Sequence, residues 1–347
     1  MKHKLFVTNF NKNFTGVSAT AANVVKAQAG RYDLHLVGRP LPGCPAPTTV
    51  KQARALSRGG AIWHVRRNTE MRAALWARDV LRLPIKIVFT SAAIRRHSAF
   101  PRWLISRMDA VIATTDAAAS FVPHVRAVVP HGVDTNLYVP AADRAAAWQA
   151  LGYGGKRGIA TIGRVRPEKG TDQFVTAMLP LLRDHPDAVA LVVGKASRSH
   201  QAFQDKLKSV IARANLSDRI LFVGEIPSPD LPKLMQALSL VVQLPTYEGY
   251  GMVPLEGMAS AVPFVGTDTG YYRAFTADGI AGTIVGTVGQ ATKAADHILN
   301  GNVERMGAQA RVMACAGFGI QSEADGIDTV YQTLSGQILA GQMLAGR

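Results

Sequence analysis

The chain has 347 residues, 48% apolar and 18% charged, with no low-complexity tract; this excludes a disordered or fibrous protein and leaves room for two domains of roughly 150 residues each. No apolar run approaches the ~18 residues a membrane span needs, and the opening MKHKLFVTNF turns polar at Asn9, Asn11, Lys12 and Asn13, where a secretory signal would stay apolar. The net charge of +15 is uneven: residues 1–140 carry 20 Lys and Arg against 6 Asp and Glu, and residues 141–347 carry 19 against 18.

Such asymmetry points to an anionic partner of the first half: a membrane surface, a phosphorylated lipid or nucleic acid. The plainer alternative is a well-solvated basic surface. Cys44 and Cys315 lie far apart without metal-type spacing, so neither a disulfide framework nor a zinc site is expected, and the cytoplasm is the expected compartment.

Short β-branched runs alternate with helical patterns from the start. KLFVT (4–8), a helix near 17–30, DLHLVG (33–38), AIWHV (61–65), a helix near 69–82, IKIVFT (85–90), a helix near 101–107, AVIAT (110–114) and VRAVVP (125–130) make one βαβ series. It predicts a doubly wound domain over 1–135. Residues 136–157 lack a strand pattern, contain Pro140 and end Gly-rich, which reads as a linker.

A second series follows: GIATIG (158–163), AVALVVG (188–194), RILFVG (219–224), LSLVVQL (238–244) and VPFVG (262–266), with helices near 172–184, 198–214, 229–237 and 251–260. The stretch from about 288 to 345 reads as two or three helices. The prediction is a second α/β domain over 158–320 and a final helix, 321–347, that crosses back to the first domain.

Open α/β sheets bind ligands at the carboxyl ends of their strands. After GIATIG comes Arg164-Val165-Arg166-Pro167-Glu168-Lys169-Gly170, cations beside a helix start, which suit a diphosphate. Taken alone, the segment reads more readily as a solvated turn with a good N-cap. After LSLVVQL comes Pro245-Thr246-Tyr247-Glu248-Gly249-Tyr250-Gly251 and, inside the next helix, Glu256. Two carboxylates there can accept hydrogen bonds from sugar and ribose hydroxyls, and Gly249 and Gly251 admit a ligand close to the backbone. Either glutamate alone is also an ordinary helix-end or helix-face charge.

Together, Arg164 with Lys169 and Glu248 with Glu256 resemble the donor-binding pattern of family 4 glycosyltransferases. Phe14-Thr15-Gly16-Val17 and Pro130-His131-Gly132-Val133-Asp134 match the family as well. The segments 64–71 (HVRRNTEM) and 91–115 look like those of alphaproteobacterial lipopolysaccharide core mannosyltransferases. The resemblance implies a GT-B fold, two Rossmann-like doubly wound parallel-sheet domains facing across a cleft. It also implies a retaining, metal-independent hexosyl transfer, with GDP-mannose as donor.

By the same resemblance Arg164 and Lys169 neutralise the diphosphate, Glu256 binds the ribose, Glu248 meets the hexose, and Gly16 lets its loop lie against the phosphates. No two aspartates are separated by a single residue, so the Asp-x-Asp metal motif is missing. Many relatives carry a histidine where this chain has Ser91; His97, flanked by Arg95 and Arg96, faces the acceptor or is a solvated loop residue.

Arg66, Arg67, Arg72, Arg95, Arg96, Arg102 and Arg107 fall on what would be the acceptor side. The implied acceptor is a lipid-linked anionic saccharide, met by a protein lying peripherally on the inner face of the cytoplasmic membrane. A GT-B-type nucleotide-sugar epimerase keeps the fold but requires a carboxylate and histidine set that is not assembled here. A basic nucleic-acid-binding protein has no helix-turn-helix, zinc or RNA-recognition signature to support it, so no nucleic acid is expected. No G-x-G-x-x-G follows the first strand, and GYGGKRG (152–158) lacks the Ser or Thr of a P-loop.

Overall fold

The computed structural model describes residues 2–13 and 15–345. The chain divides into two compact units, Met1–Gly132 with Phe318–Arg347, and Val133–Gly317.

The first unit is built on six parallel strands: β1 (Lys4–Asn9), β2 (Asp33–Gly38), β3 (Ala61–Val65), β4 (Ile85–Ser91), β5 (Ala110–Ala113) and β6 (Val125–Val128). They lie in the order β2-β1-β3-β4-β5-β6. Side chains alternate across the sheet. Leu5, Val7, Ile62, Val88, Ala110 and Ile112 join one core, which the C-terminal helix Ile320–Ala345 covers with Ile327, Tyr331 and Leu334. Phe6, Trp63, Val65, Ile87 and Phe89 join the other, against Met71 and Leu75 of the helix Asn68–Leu75 and Leu104 and Ile105 of the helix Ala99–Ser106. Both faces are covered, so the strands are apolar almost throughout, and each such buried side chain contributes about 1.5–3 kcal/mol.

A polar chain runs through the first core. His64 of β3 is fully buried, with Nε2 2.6 Å from Thr90 Oγ1 and Nδ1 hydrogen-bonded to the Tyr331 hydroxyl. Burial and the neighbouring Arg66 hold its imidazole well below the usual histidine range, so it stays neutral. Glu323 completes the attachment of the last helix: its carboxylate lies 2.8 Å from His131 Nδ1 and accepts the Gly132 N–H at 2.8 Å.

The second unit carries β7 (Arg157–Ile162), β8 (Ala188–Val193), β9 (Ile220–Gly224), β10 (Leu238–Gln243), β11 (Phe264–Thr267) and β12 (Gly282–Val285). Their order, β12-β11-β10-β7-β8-β9, is again wholly parallel. The chain moves outward from β7 to β9, then returns to start β10 on the other side of β7. That reversal leaves a crevice at the carboxyl ends of β7 and β10.

Several elements differ from the sequence reading. Residues 136–157, read as a linker, lie within the second unit and contain the helix Arg144–Leu151, capped by Asp143, whose carboxylate accepts the Ala146 N–H at 2.9 Å. Four of its eight residues are alanine and a single Trp148 is buried, so there is little apolar periodicity to see. The helix near 69–82 ends at Leu75 and passes into a π-helical turn, Trp76–Val80, closed by Leu81 N–H to Trp76 O at 3.1 Å. The four-residue edge strand β12 and the short helices Val50–Leu56 and Tyr272–Thr276 were not foreseen. The last part of the chain forms Val288–Leu299, Val303–Gly317 and Ile320–Ala345.

Candidate functional site

At the carboxyl end of β7 the chain passes through Gly163, Arg164 and a 3-10 turn, Pro167–Lys169, into the helix Thr171–Asp184. Among the described residues no side chain caps this helix, so its first-turn N–H groups are available to an anion. Gly170 joins turn to helix at φ +68, and a Cβ there would lie 1.8 Å from Leu244 O. Only glycine lets the β7 loop sit this close to the end of β10. Thr246 N–H to Glu168 O, at 3.1 Å, ties the two loops further.

Of the predicted donor residues, Lys169 and Glu248 meet at this junction. Lys169 Nζ lies 2.5 Å from Glu248 Oε2, both side chains about three-quarters buried. The other oxygen of Glu248 accepts the Gly249 N–H at 2.9 Å, so the carboxylate is fixed at both ends. Arg164 is exposed on the same turn and takes no ion pair among the described residues. Gly251, at φ +103, precedes the helix Met252–Ala259, and a Cβ there would strike the Tyr272 ring at 2.0 Å.

Glu256 lies inside that helix and is 9% exposed. Burial pushes its carboxyl from 4.5 up to about 7, against the opposing hydrogen bond from the Tyr138 hydroxyl. Tyr138 comes from the segment read as linker, and the sequence offered no sign of it. Arg311 holds it, donating to Tyr138 O at 2.8 Å, Ala259 O at 2.6 Å and Thr135 O at 3.0 Å.

The carboxyl edge of the first unit holds a second polar cluster where its strand order reverses, between β1 and β3. Glu70 is fully buried and accepts from Phe10 N–H (3.1 Å), Arg66 N–H (2.8 Å), Thr8 Oγ1 (3.0 Å) and Arg67 Nη1 (3.1 Å). Arg67 also donates to Asn9 Oδ1, Thr15 Oγ1 and Ser18 Oγ at 3.0–3.1 Å. This arginine therefore braces the loop after β1. The sequence reading missed Glu70, whose only signal is its place three and four residues beyond two arginines.

The other predicted residues separate. Among the described residues, Arg66 is buried with all three guanidinium nitrogens unpartnered, and Ser91 closes β4 with a buried, unpartnered hydroxyl. Arg95 and Arg96 are exposed in the following loop. His97 is half-buried there, its imidazole lowered by desolvation and by Arg95. Gly16 opens the helix Gly16–Ala27, and a Cβ on it would meet nothing within 4 Å. Phe14, close to it in the matched motif, lies outside the described residues.

Comparison with known proteins identifies the family and the fold. The family described as glycosyl transferases group 1 matches residues 144–310, the segment that contains Arg164, Lys169, Glu248 and Glu256. The chain is 38% identical to a lipopolysaccharide core biosynthesis mannosyltransferase, LpcC, of Rhizobium leguminosarum, over 96% of this chain and 97% of that protein. It is 37% identical to the corresponding LpsB of Rhizobium meliloti, over 95% and 97%. In fold it is similar to Anabaena HepE, solved with UDP and glucose, with a TM-score of 0.81, 18% identity, and 96% and 100% of the two chains covered.

Proposed function

Because this chain belongs to the group 1 glycosyl transferases, family 4 enzymes of the GT-B fold, we propose that it transfers mannose from GDP-mannose to a lipid-linked anionic saccharide of the lipopolysaccharide-core type, with retention of configuration. The observation that carries the donor half is the junction of β7 and β10, where Lys169 meets Glu248 at 2.5 Å beside the uncapped helix Thr171–Asp184. Names of the two full-length relatives support mannose and the core acceptor.

In this reading Arg164, Lys169 and the first-turn N–H groups hold the diphosphate without a metal. Charge grows on that group as the sugar leaves, so fixed cations act mainly on the transition state. Glu256 receives the ribose hydroxyls, and Glu248 the hexose. The bond from the anomeric carbon to the phosphate oxygen breaks while the acceptor oxygen bonds to that carbon from the same face. The departing phosphate oxygen takes the acceptor's proton. Trapping of a glycosyl group on any carboxylate of the chain would reject this front-face course.

Peripheral attachment to the inner face of the cytoplasmic membrane is supported by the outer surface of the first unit. The turn Trp76–Val80 and the helix Ala99–Ser106 are joined by Arg107 to Asp79 at 3.3 Å. Trp76, Val80, Leu81, Phe100 and Trp103 are all exposed, with Phe100 and Trp103 stacked at 6.2 Å. Aromatic rings among arginines suit the headgroup layer of an anionic membrane. Among the described residues no helix is long and apolar enough to cross one.

A thermal-shift panel of GDP, UDP and ADP with their mannose and glucose conjugates tests the donor. Stabilisation by GDP and GDP-mannose alone, lost in Arg164→Ala and Lys169→Ala, is expected. A response to UDP species alone would replace the donor, and no response to any nucleotide would reject the reading.

A further inference from the structure

The first unit contains a buried cation that its own fold does not satisfy. Arg66 follows β3 directly, is 8% exposed, and none of its Nε, Nη1 and Nη2 has a hydrogen-bond partner among the described residues. A desolvated guanidinium without acceptors is costly to the fold. The two nearby carboxylates contribute field but no hydrogen bonds to it. Glu70 already accepts four hydrogen bonds, about all a carboxylate holds, and Glu323 is turned to His131 and the Gly132 N–H.

A second orphan lies along the same edge. Thr114 follows β5, is fully buried, and its hydroxyl has no partner among the described residues, while its N–H donates to Ser91 O at 3.0 Å and so keeps it in the ladder. Alternation puts Thr114 on the face of Ala110 and Ile112, which is the face of Tyr331. Arg66 is on that face too, since alternation places it with Ile62 and with His64, whose Nδ1 is hydrogen-bonded to the Tyr331 hydroxyl. Ser91 falls on the opposite face, with Ile87 and Phe89.

We infer that Arg66 and Thr114 form an oxyanion-binding site at the carboxyl edge of the first sheet, which takes the phosphate or carboxylate of the acceptor. It rests on the acceptor-side reading of this unit. A guanidinium offers paired donors that match either anion, and the threonine hydroxyl adds a third. Arg67, by contrast, is consumed by the loop after β1 and is a positioning residue. Because Glu70 and Glu323 offset part of the arginine's field, a free ion binds weakly, in the roughly millimolar range, and the rest of the acceptor supplies the remaining affinity.

The test uses the full chain carrying Arg164→Ala and Lys169→Ala, so that anions no longer report on the donor loops. Thermal stability is followed against sodium phosphate, sodium acetate and sodium chloride at constant ionic strength. A saturable upward shift with phosphate assigns a phosphate-bearing acceptor, one with acetate a carboxylate-bearing acceptor. Arg66→Gln weakens that response roughly ten-fold or more, as the loss of charged hydrogen bonds requires. Thr114→Val, close in shape, weakens it several-fold and serves alone if Arg66→Gln does not fold. No saturable response to either anion, or a response that both substitutions leave intact, overturns the site. The nucleotide panel is independent of this outcome, so failure of the anion site and failure of the transferase reading remain distinguishable.

Discussion

Lys169 Nζ and Glu248 Oε2 lie 2.5 Å apart although 79 residues separate them in the chain. They meet because β7 and β10 are neighbours in the sheet, on either side of the point where the strand order reverses. In the proposed reaction the pair sets the cation between diphosphate and hexose. Lys169→Ala is expected to lower kcat by about 10²–10³-fold, the usual cost of losing a donor aimed at developing charge. Glu248→Gln keeps the shape but loses the ion pair, and its effect should not add to that of Lys169→Ala. Steady-state kinetics of the two single variants and the double variant measure this; additive effects would separate their roles.

Glu256 predicts a pH dependence of stability. Its carboxyl lies at about 7 in the folded chain against 4.5, so the folded state binds the proton more tightly. The associated stabilisation is complete below pH 4.5 and is lost as pH rises to about 7, on the order of 3 kcal/mol. Denaturant titrations should show the wild type losing stability across that window relative to Glu256→Gln, which has no such proton. Equal slopes for the two proteins would contradict it. If ribose hydroxyls bind the carboxylate, the donor KM of the wild type should also fall as pH rises through about 7.

Gly170 is constrained twice, by φ +68 and by the carbonyl of Leu244 1.8 Å from a built Cβ. Gly170→Ala should cost roughly 2 kcal/mol or more and push Lys169 away from Glu248. Donor affinity should fall together with Tm. A variant of unchanged Tm and unchanged donor affinity would show that the loop relaxes freely.

Glu323 holds the C-terminal helix through His131 and the Gly132 N–H, both at 2.8 Å. Removal of its carboxylate takes a hydrogen bond from each of two buried groups, the His131 ring and the Gly132 N–H, which costs about 2–4 kcal/mol. Urea unfolding of Glu323→Ala should show that loss, while Glu323→Gln should recover part of it. Equal stability of the wild type and Glu323→Ala would mean that the helix is held by its apolar face alone.

The exposed rings predict how the protein meets a membrane. Flotation with anionic vesicles should decrease as salt is raised, because a Debye length of about 8 Å at physiological ionic strength screens the arginines. The double substitution Trp76→Ser and Trp103→Ser should weaken binding even at low salt. Binding indifferent to both changes would place the contact elsewhere.

The strands of both sheets were legible because both faces are covered, which turns each one into a short apolar run bounded by polar residues. DLHLVG and AIWHV are reproduced to the residue. The residues proposed to grip the donor stood out for a related reason: their loops follow such strands, and they match the pattern that the family resemblance supplies. The helix Arg144–Leu151 and β12 were not, since one presents a single buried tryptophan and the other is four residues at a sheet edge.

Sequence by itself determined the alternation of strands and helices, the concentration of positive charge in residues 1–140, and the family that the chain resembles. Those are local properties, carried by periodicity, composition and spacing. Only the tertiary structure decided that Lys169 pairs with Glu248, that Tyr138 reaches Glu256, and that Arg67 is bonded on every side while Arg66 beside it is left without an acceptor. Burial and partnership depend on which strands become neighbours, and residues adjacent in sequence need not share them: successive side chains at a strand end point to opposite faces.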